Sequence, residues 1–181
     1  MTKARLLAVI IWVACGPGPG IGYARPNARR AALGYIRVGE RARLADTIPP
    51  AEVLYVLQRA INALNNFDID AVANLYTHNA LVADDEPPYS WNGPTAGVQW
   101  VNAVEQVCKD NRLTKLKATI EPIHVFQLTT DNVYTVVPVS FTGVLPGRAR
   151  FTAKGAFAFV LRMENGKWLI KSQVWMPKTG M

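Results

Sequence analysis

Two cysteines and two histidines are the whole supply of thiol and imidazole in this 181-residue chain. Cys15 falls in an N-terminal stretch that reads as a leader, which leaves Cys108 alone in the rest of the chain and excludes an internal disulfide there. Cys108 shares a helical face with Val101, Val104 and Val107, and reads as a small core residue rather than a nucleophile. His78 and His124, with one thiol, do not make the ligand spacing of a metal site. There is no Ser-His-Asp or Cys-His order, and the glycines between Gly16 and Gly22 lack the Lys-Ser or Lys-Thr of a phosphate loop. No metal and no cofactor is expected. The apolar run Leu6 to Ala14 is too short for a bilayer-spanning helix, which takes about 20 residues, so no stable membrane span is expected either.

Acidic residues are also scarce, 13 against 20 Lys and Arg, for a formal charge of +7 and a pI of about 9.6. The imbalance is local. Residues 1–46 hold eight Lys/Arg against two acids, net +6, while residues 47–181 hold twelve against eleven, net +1. A nearly neutral folded part offers nucleic acid no electrostatic footprint.

Lys3 and Arg5 ahead of the apolar run, and Gly16-Pro17-Gly18-Pro19-Gly20 after it, are the layout of a signal peptide. Residues 1–24 are expected to be that peptide, cut after Ala24, and residues 25–49 a basic, disordered linker with six Arg. The expected location is periplasmic or secreted, or cytoplasmic if the true start lies further downstream.

Periodicity begins near Ala51. Val53, Val56, Leu57, Ala60, Ile61, Ala63 and Leu64 form one buried helical face. Asp68 and Asp70 suit the start of a second helix, with Val72, Leu75 and Tyr76 as its stripe and Asn79 as its stop. Ala80 to Ala83 read as a short strand that delivers Asp84, Asp85 and Glu86 to a loop ended by Pro87-Pro88. Trp91-Asn92-Gly93-Pro94 turns the chain, and Thr95 opens a third helix with Val98, Val101, Val104 and Val107 inward and Lys109 near its end. From Leu116 the period becomes two. Leu116 to Leu128, Val133 to Val144, Ala149 to Met163 and Trp168 to Met176 read as strands, bent at Pro122 and Pro138, with Asn165-Gly166 as a strong hairpin turn. Phe151, Ala153, Gly155, Phe157, Phe159 and Leu161 should share one face. Trp168, Ile170, Ser172 and Val174 should oppose Leu169, Lys171, Gln173 and Trp175. The expectation is an α+β domain over residues 50–178: a cone-shaped barrel of three N-terminal helices on a strongly bent antiparallel sheet.

Ala63-Leu64-Asn65, Asp68-Ile69-Asp70, Leu75-Tyr76, Asn79-Ala80, Trp91-Asn92-Gly93 and Glu164-Asn165-Gly166-Lys167-Trp168, in this order, resemble the SnoaL-like and ketosteroid-isomerase-like branch of the nuclear transport factor 2-like superfamily. That resemblance implies the cone fold and a two-fold homodimer through the outer sheet face, where Trp175 is expected as an apolar residue. It places the branch's catalytic aspartate at Asp84. The two oxyanion-hole positions fall near Ala60 and Ala158, which can donate no hydrogen bond, and this disfavours steroid-type isomerisation.

The function expected on these grounds is binding of a small, largely apolar molecule in the cone. Two alternatives stand beside it: a cofactor-free isomerase, dehydratase or cyclase with Asp84 as general base and His78 or Tyr89 assisting, and a non-catalytic assembly module. Like-charge repulsion from Asp85 and Glu86 is expected to raise the Asp84 pKa. Tyr76, Tyr89, Trp91, Trp100 and His124 are the expected ligand-binding residues.

Overall fold

A computed structural model of the chain describes residues 49–178. The expected signal peptide and nearly all of the expected linker lie outside these residues. The domain begins with helix α1, Ala51–Asn66, whose seven predicted apolar residues are all buried. It stops at Phe67, which takes the left-handed conformation (φ 51°). The side chain of Asp68 then accepts the Ala71 N–H at 2.9 Å and caps α2, Ile69–Ala73.

The second helix is only this one turn. Strand β1 runs Tyr76–Ala83 and absorbs the residues expected to finish the helix, Tyr76, His78 and Asn79 among them. The local helical stripe loses to a tertiary partner: the Ile170 N–H binds the Leu75 carbonyl at 2.8 Å, and Tyr76 pairs with Ile170. Strand β2, Ser90–Asn92, folds back on β1, with Val82 opposite Trp91.

Helix α3, Ala96–Asp110, starts after Thr95 as expected, and Lys109 in its last turn pairs with Glu105 at 2.7 Å. Its buried face is turned from the predicted valine stripe. Ala96, Gly97, Trp100, Val101 and Cys108 are buried, while Val98 and Val104 lie at the margin. Trp100, the largest side chain available, takes the centre of the face beside Val101, and Val98 and Val104 are left at its edge.

The remaining strands are β3, Thr114–Ile120; β4, Val125–Leu128; β5, Asn132–Val144; β6, Arg150–Glu164; and β7, Lys167–Pro177. They form one seven-stranded sheet in the order β2-β1-β7-β6-β5-β3, with β4 also on β5. The α+β class holds, but the sheet is mixed because β1 runs parallel to β7. The predicted long strand from Leu116 is broken between β3 and β4 at the segment containing Pro122. This break lies against Pro138, whose carbonyl accepts the Glu121 N–H at 2.9 Å and which has no N–H of its own to offer a neighbour. Asn165 and Gly166 both have positive φ (51° and 75°), as the predicted tight hairpin requires.

Val133, Val137, Val139, Phe157, Phe159 and Leu161 meet α1 and α3 across the core. The predicted alternation in β7 fails halfway. Leu161 pairs with Ile170 but Val160 pairs with Ser172, so Lys171 is an extra residue. Past this bulge Gln173 and Trp175 face inward with Ile170. Trp175 lies 4.8 Å from Phe157 and 5.2 Å from Phe141, ring to ring, and is therefore no apolar patch on the outer face. A Cβ on Gly155 would come within 2.5 Å of the Trp175 ring, so glycine there leaves room for the indole.

The end of α1 is tied to β3 by one side chain. Asn65 accepts the Ala118 N–H at 2.6 Å and donates to the Ala118 carbonyl at 2.9 Å. Among the described residues no helix is long and apolar enough to cross a membrane.

Candidate functional site

Asp84 follows β1 with the same parity as Ala80 and Val82, both buried, so its side chain turns toward α3. There the Trp100 indole N–H donates to Oδ2 at 2.7 Å. The Asp85 backbone N–H donates to Oδ1 at 2.8 Å, and the backbone N–H of Asp84 binds the Tyr89 carbonyl at 3.0 Å. The carboxyl is thus fixed at both oxygens, each of which keeps a free lone pair.

Burial pushes the Asp84 pKa up to about 6, with Asp85 adding to the rise and the Trp100 bond opposing it. Desolvation, rather than the expected charge repulsion, leads the rise. Glu86 is also raised, by its partial burial and then by the charge of Asp85. A carboxyl titrating near 6 can hold or release a proton close to neutrality, which is what acid-base chemistry requires.

A second polar pair lies beside this one. The Tyr76 hydroxyl donates to Gln173 Oε1 at 2.6 Å, and burial raises the phenol pKa. Gly97, one turn before Trp100, lies against the Tyr76 ring, and a Cβ there would overlap it. Gln173 pairs across the sheet with Val82, two residues before Asp84. The Asp84–Trp100 and Tyr76–Gln173 pairs therefore occupy neighbouring turns of the α3 face, over the junction of β1 and β7.

The other expected residues separate. Trp91 is buried on β2 against Val82. Tyr89 is 59 % exposed and touches the site through its backbone carbonyl. His78 is exposed on β1, not at a helix end. His124 is exposed in the break between β3 and β4, not within a strand, and at the opposite edge of the sheet from Asp84. Ala60 is buried in α1, whereas Ala158 lies on the outer parity of β6 between the inward Phe157 and Phe159. Neither alanine side chain can supply a donor.

The reading from residues alone missed Gln173 as an inward group, because the bulge at Lys171 that turns it leaves no mark in the pattern. Among the described residues no group of three or more His, Cys, Asp or Glu could hold a metal ion. A cleft of about 450 Å³ lined by Glu121, Ser140, Lys154 and Met176 contains none of the expected site residues.

No family sequence model and no curated protein sequence matches the chain. Solved structures do match its fold. The LinA-type3 hexachlorocyclohexane dehydrochlorinase of Novosphingobium barchaimii superposes with a TM-score of 0.59 at 14% identity, over 72% of this chain and 90% of that one. Aln2 from a Streptomyces species gives 0.57 at 14% identity, over 70% and 88%. The Kfla4162 protein from Kribbella flavida gives 0.59 at 13%, over 71% and 89%. With a seven-stranded mixed sheet packed on its helices, the chain shares the fold of these solved structures, an α+β fold of the nuclear transport factor 2-like kind.

Proposed function

We propose that this domain binds a small, largely apolar molecule in its cone and that Asp84 moves a proton on it without a cofactor. One observation carries the reading: an inward carboxyl, held by Trp100 at 2.7 Å, whose pKa stands at about 6. The surroundings are apolar and aromatic, with Trp100, Phe157 and Trp175 in edge and tilted contacts. Such a setting suits a ligand of that character and strengthens the pull of a carboxylate on a nearby proton. The neighbouring LinA structure is named as a dehydrochlorinase, and a proton-abstracting carboxylate suits chemistry of that general kind.

The test is deuteration of 1-tetralone, a small apolar ketone, at its α-carbon in heavy water, followed by NMR. The rate should rise with pH through about 6 and level off as Asp84 ionises. Asp84→Asn should lower it by at least about 100-fold with the fold intact. A rate no faster than that of buffer, or one unchanged by the substitution, counts against the reading.

A further inference from the structure

The cleft of about 450 Å³ opens on the outer face of the sheet, the side opposite the core. Lys154 and Ala156 share the outer parity of Ala158 on β6, while Phe157 is buried on the other side. Two rows of side chains cross the strands here. Ser140 pairs with Lys154, and the Lys178 N–H binds the Lys154 carbonyl at 2.9 Å, which makes a polar row. Pro138 pairs with Ala156 and Ala156 with Met176, which makes an apolar row two residues along each strand, roughly 6–7 Å away at the usual rise per residue. In the middle of the apolar row β6 supplies a methyl group alone, so the surface sinks between the proline ring and the methionine.

The charges of the cleft are unequal. Glu121, whose N–H binds the Pro138 carbonyl, turns its carboxylate to Ser140, and the Ser140 hydroxyl donates to Oε1 at 2.6 Å. Lys154 and Lys178 are exposed, and among the described residues the ion pair is Lys109 with Glu105, so neither lysine has a carboxylate partner there. Two lysines against one glutamate leave one positive charge in excess. A single surplus charge beside an apolar trough selects a monoanion. A polyphosphate would be repelled by Glu121, and a neutral molecule would leave the ammonium groups unused. The volume is that of small-molecule sites, and the Met176 thioether packs well against an aromatic ring. A second copy of the chain is a poorer occupant, since a two-fold contact centred on the cleft sets its lysines against their own counterparts.

We propose that this cleft binds a small aromatic monocarboxylate, with its carboxylate at Lys154 and Lys178 and its ring over Pro138, Ala156 and Met176. The site lies across the sheet from the cone and does not depend on the chemistry proposed for Asp84.

The experiment compares 2-naphthoate with 2-naphthamide, a neutral molecule of the same shape, on the full-length protein in low-salt buffer. Calorimetry should give the carboxylate at least about fivefold tighter binding, the scale that exposed charges supply, and added salt should erode the difference. Lys154→Gln with Lys178→Gln should abolish the preference. Both residues are exposed, so the fold should be unaffected. Carbon-13 NMR of the methionine methyl groups locates the ligand in the unsubstituted chain. The Met176 signal should move on adding 2-naphthoate, and Ala156→Leu, which fills the trough, should suppress that movement. Equal binding of the two compounds overturns the proposal, as does a preference that survives the double lysine substitution. So does 2-naphthoate that moves the Trp100 indole N–H signal and leaves Met176 still, because the ligand has then entered the interior. A Met176 signal that moves with protein concentration alone, and is no longer affected by 2-naphthoate once it has done so, also overturns it, by showing that another copy covers the cleft.

Discussion

The Trp100 indole donates to Asp84 Oδ2 at 2.7 Å while its ring meets Phe157 edge-on, centroids 5.6 Å apart. The same side chain is thus packed by the sheet and aimed at the carboxyl, so it sets the carboxyl's ionisation as well as its position. Trp100→Phe keeps an aromatic ring but removes the donor that favours the carboxylate. The Asp84 pKa should then rise above about 6, seen by carbon-13 NMR titration of the carboxyl, and the rise of any deuteration rate should move to higher pH with it.

Asp84 should also weaken the fold as it ionises. Its folded pKa lies above the ordinary value of 3.8. Below about pH 4 it is protonated folded or unfolded and costs nothing. Between about 4 and 6 the folded chain holds the proton more tightly, so stability falls as pH rises through this window. Asp84→Asn removes that loss and keeps an oxygen for Trp100. Its gain over the unsubstituted protein should be near zero at pH 4. It should grow to on the order of 1–2 kcal/mol at pH 7, after allowance for partial solvent access. Urea unfolding at the two pH values is the measurement, and an equal difference at both would contradict the burial of this carboxyl.

Gly97→Ala should destabilise, although alanine is the better helix former by about 1 kcal/mol. The added methyl meets the Tyr76 ring, which is held at its far end by Gln173. Overpacking of this kind costs about 1–3 kcal/mol. A thermal midpoint several degrees lower is expected, and a raised midpoint would show that the ring can move aside.

Cys108 is 5 % exposed, and burial followed by the charge of Glu105 pushes its thiol up to about 11. Little thiolate is present near neutrality, so alkylation by iodoacetamide at pH 8 should be far slower in the folded protein than in denaturant. Comparable rates in the two would contradict its place in the core.

What could be read directly from the residues was what neighbours in the chain decide. Helix α1, the Asp68 cap, the start of α3 and the Asn165-Gly166 hairpin depend on local spacing, and each is where it was expected. Tyr76 to Asn79 went astray because a strand partner almost a hundred residues away outweighs a weak helical stripe. The bulge at Lys171 is equally non-local, and it reverses the facing of Gln173 and Trp175. Asp84 was legible as one of three acids that a strand delivers to a loop, picked out from Asp85 and Glu86 by the family resemblance, and Trp100 as an aromatic on a helix. Their meeting depends on how α3 docks, and the fact that burial rather than repulsion leads the pKa shift could be seen only once Trp100 and the sheet enclosed the carboxyl.

Asn65 gives β3 at one point what a further strand would have given it all along its length. β3 ends the order of the sheet, and an unpaired rim of N–H and C=O groups invites another chain to add itself. At Ala118 both groups are already taken by a side-chain amide from the same domain. Lys115 and Lys117 stand beside that point and add charge that a docking strand would have to accommodate. The chain thus guards its own margin against runaway strand addition, with a single carboxamide serving as a stand-in for a missing neighbour.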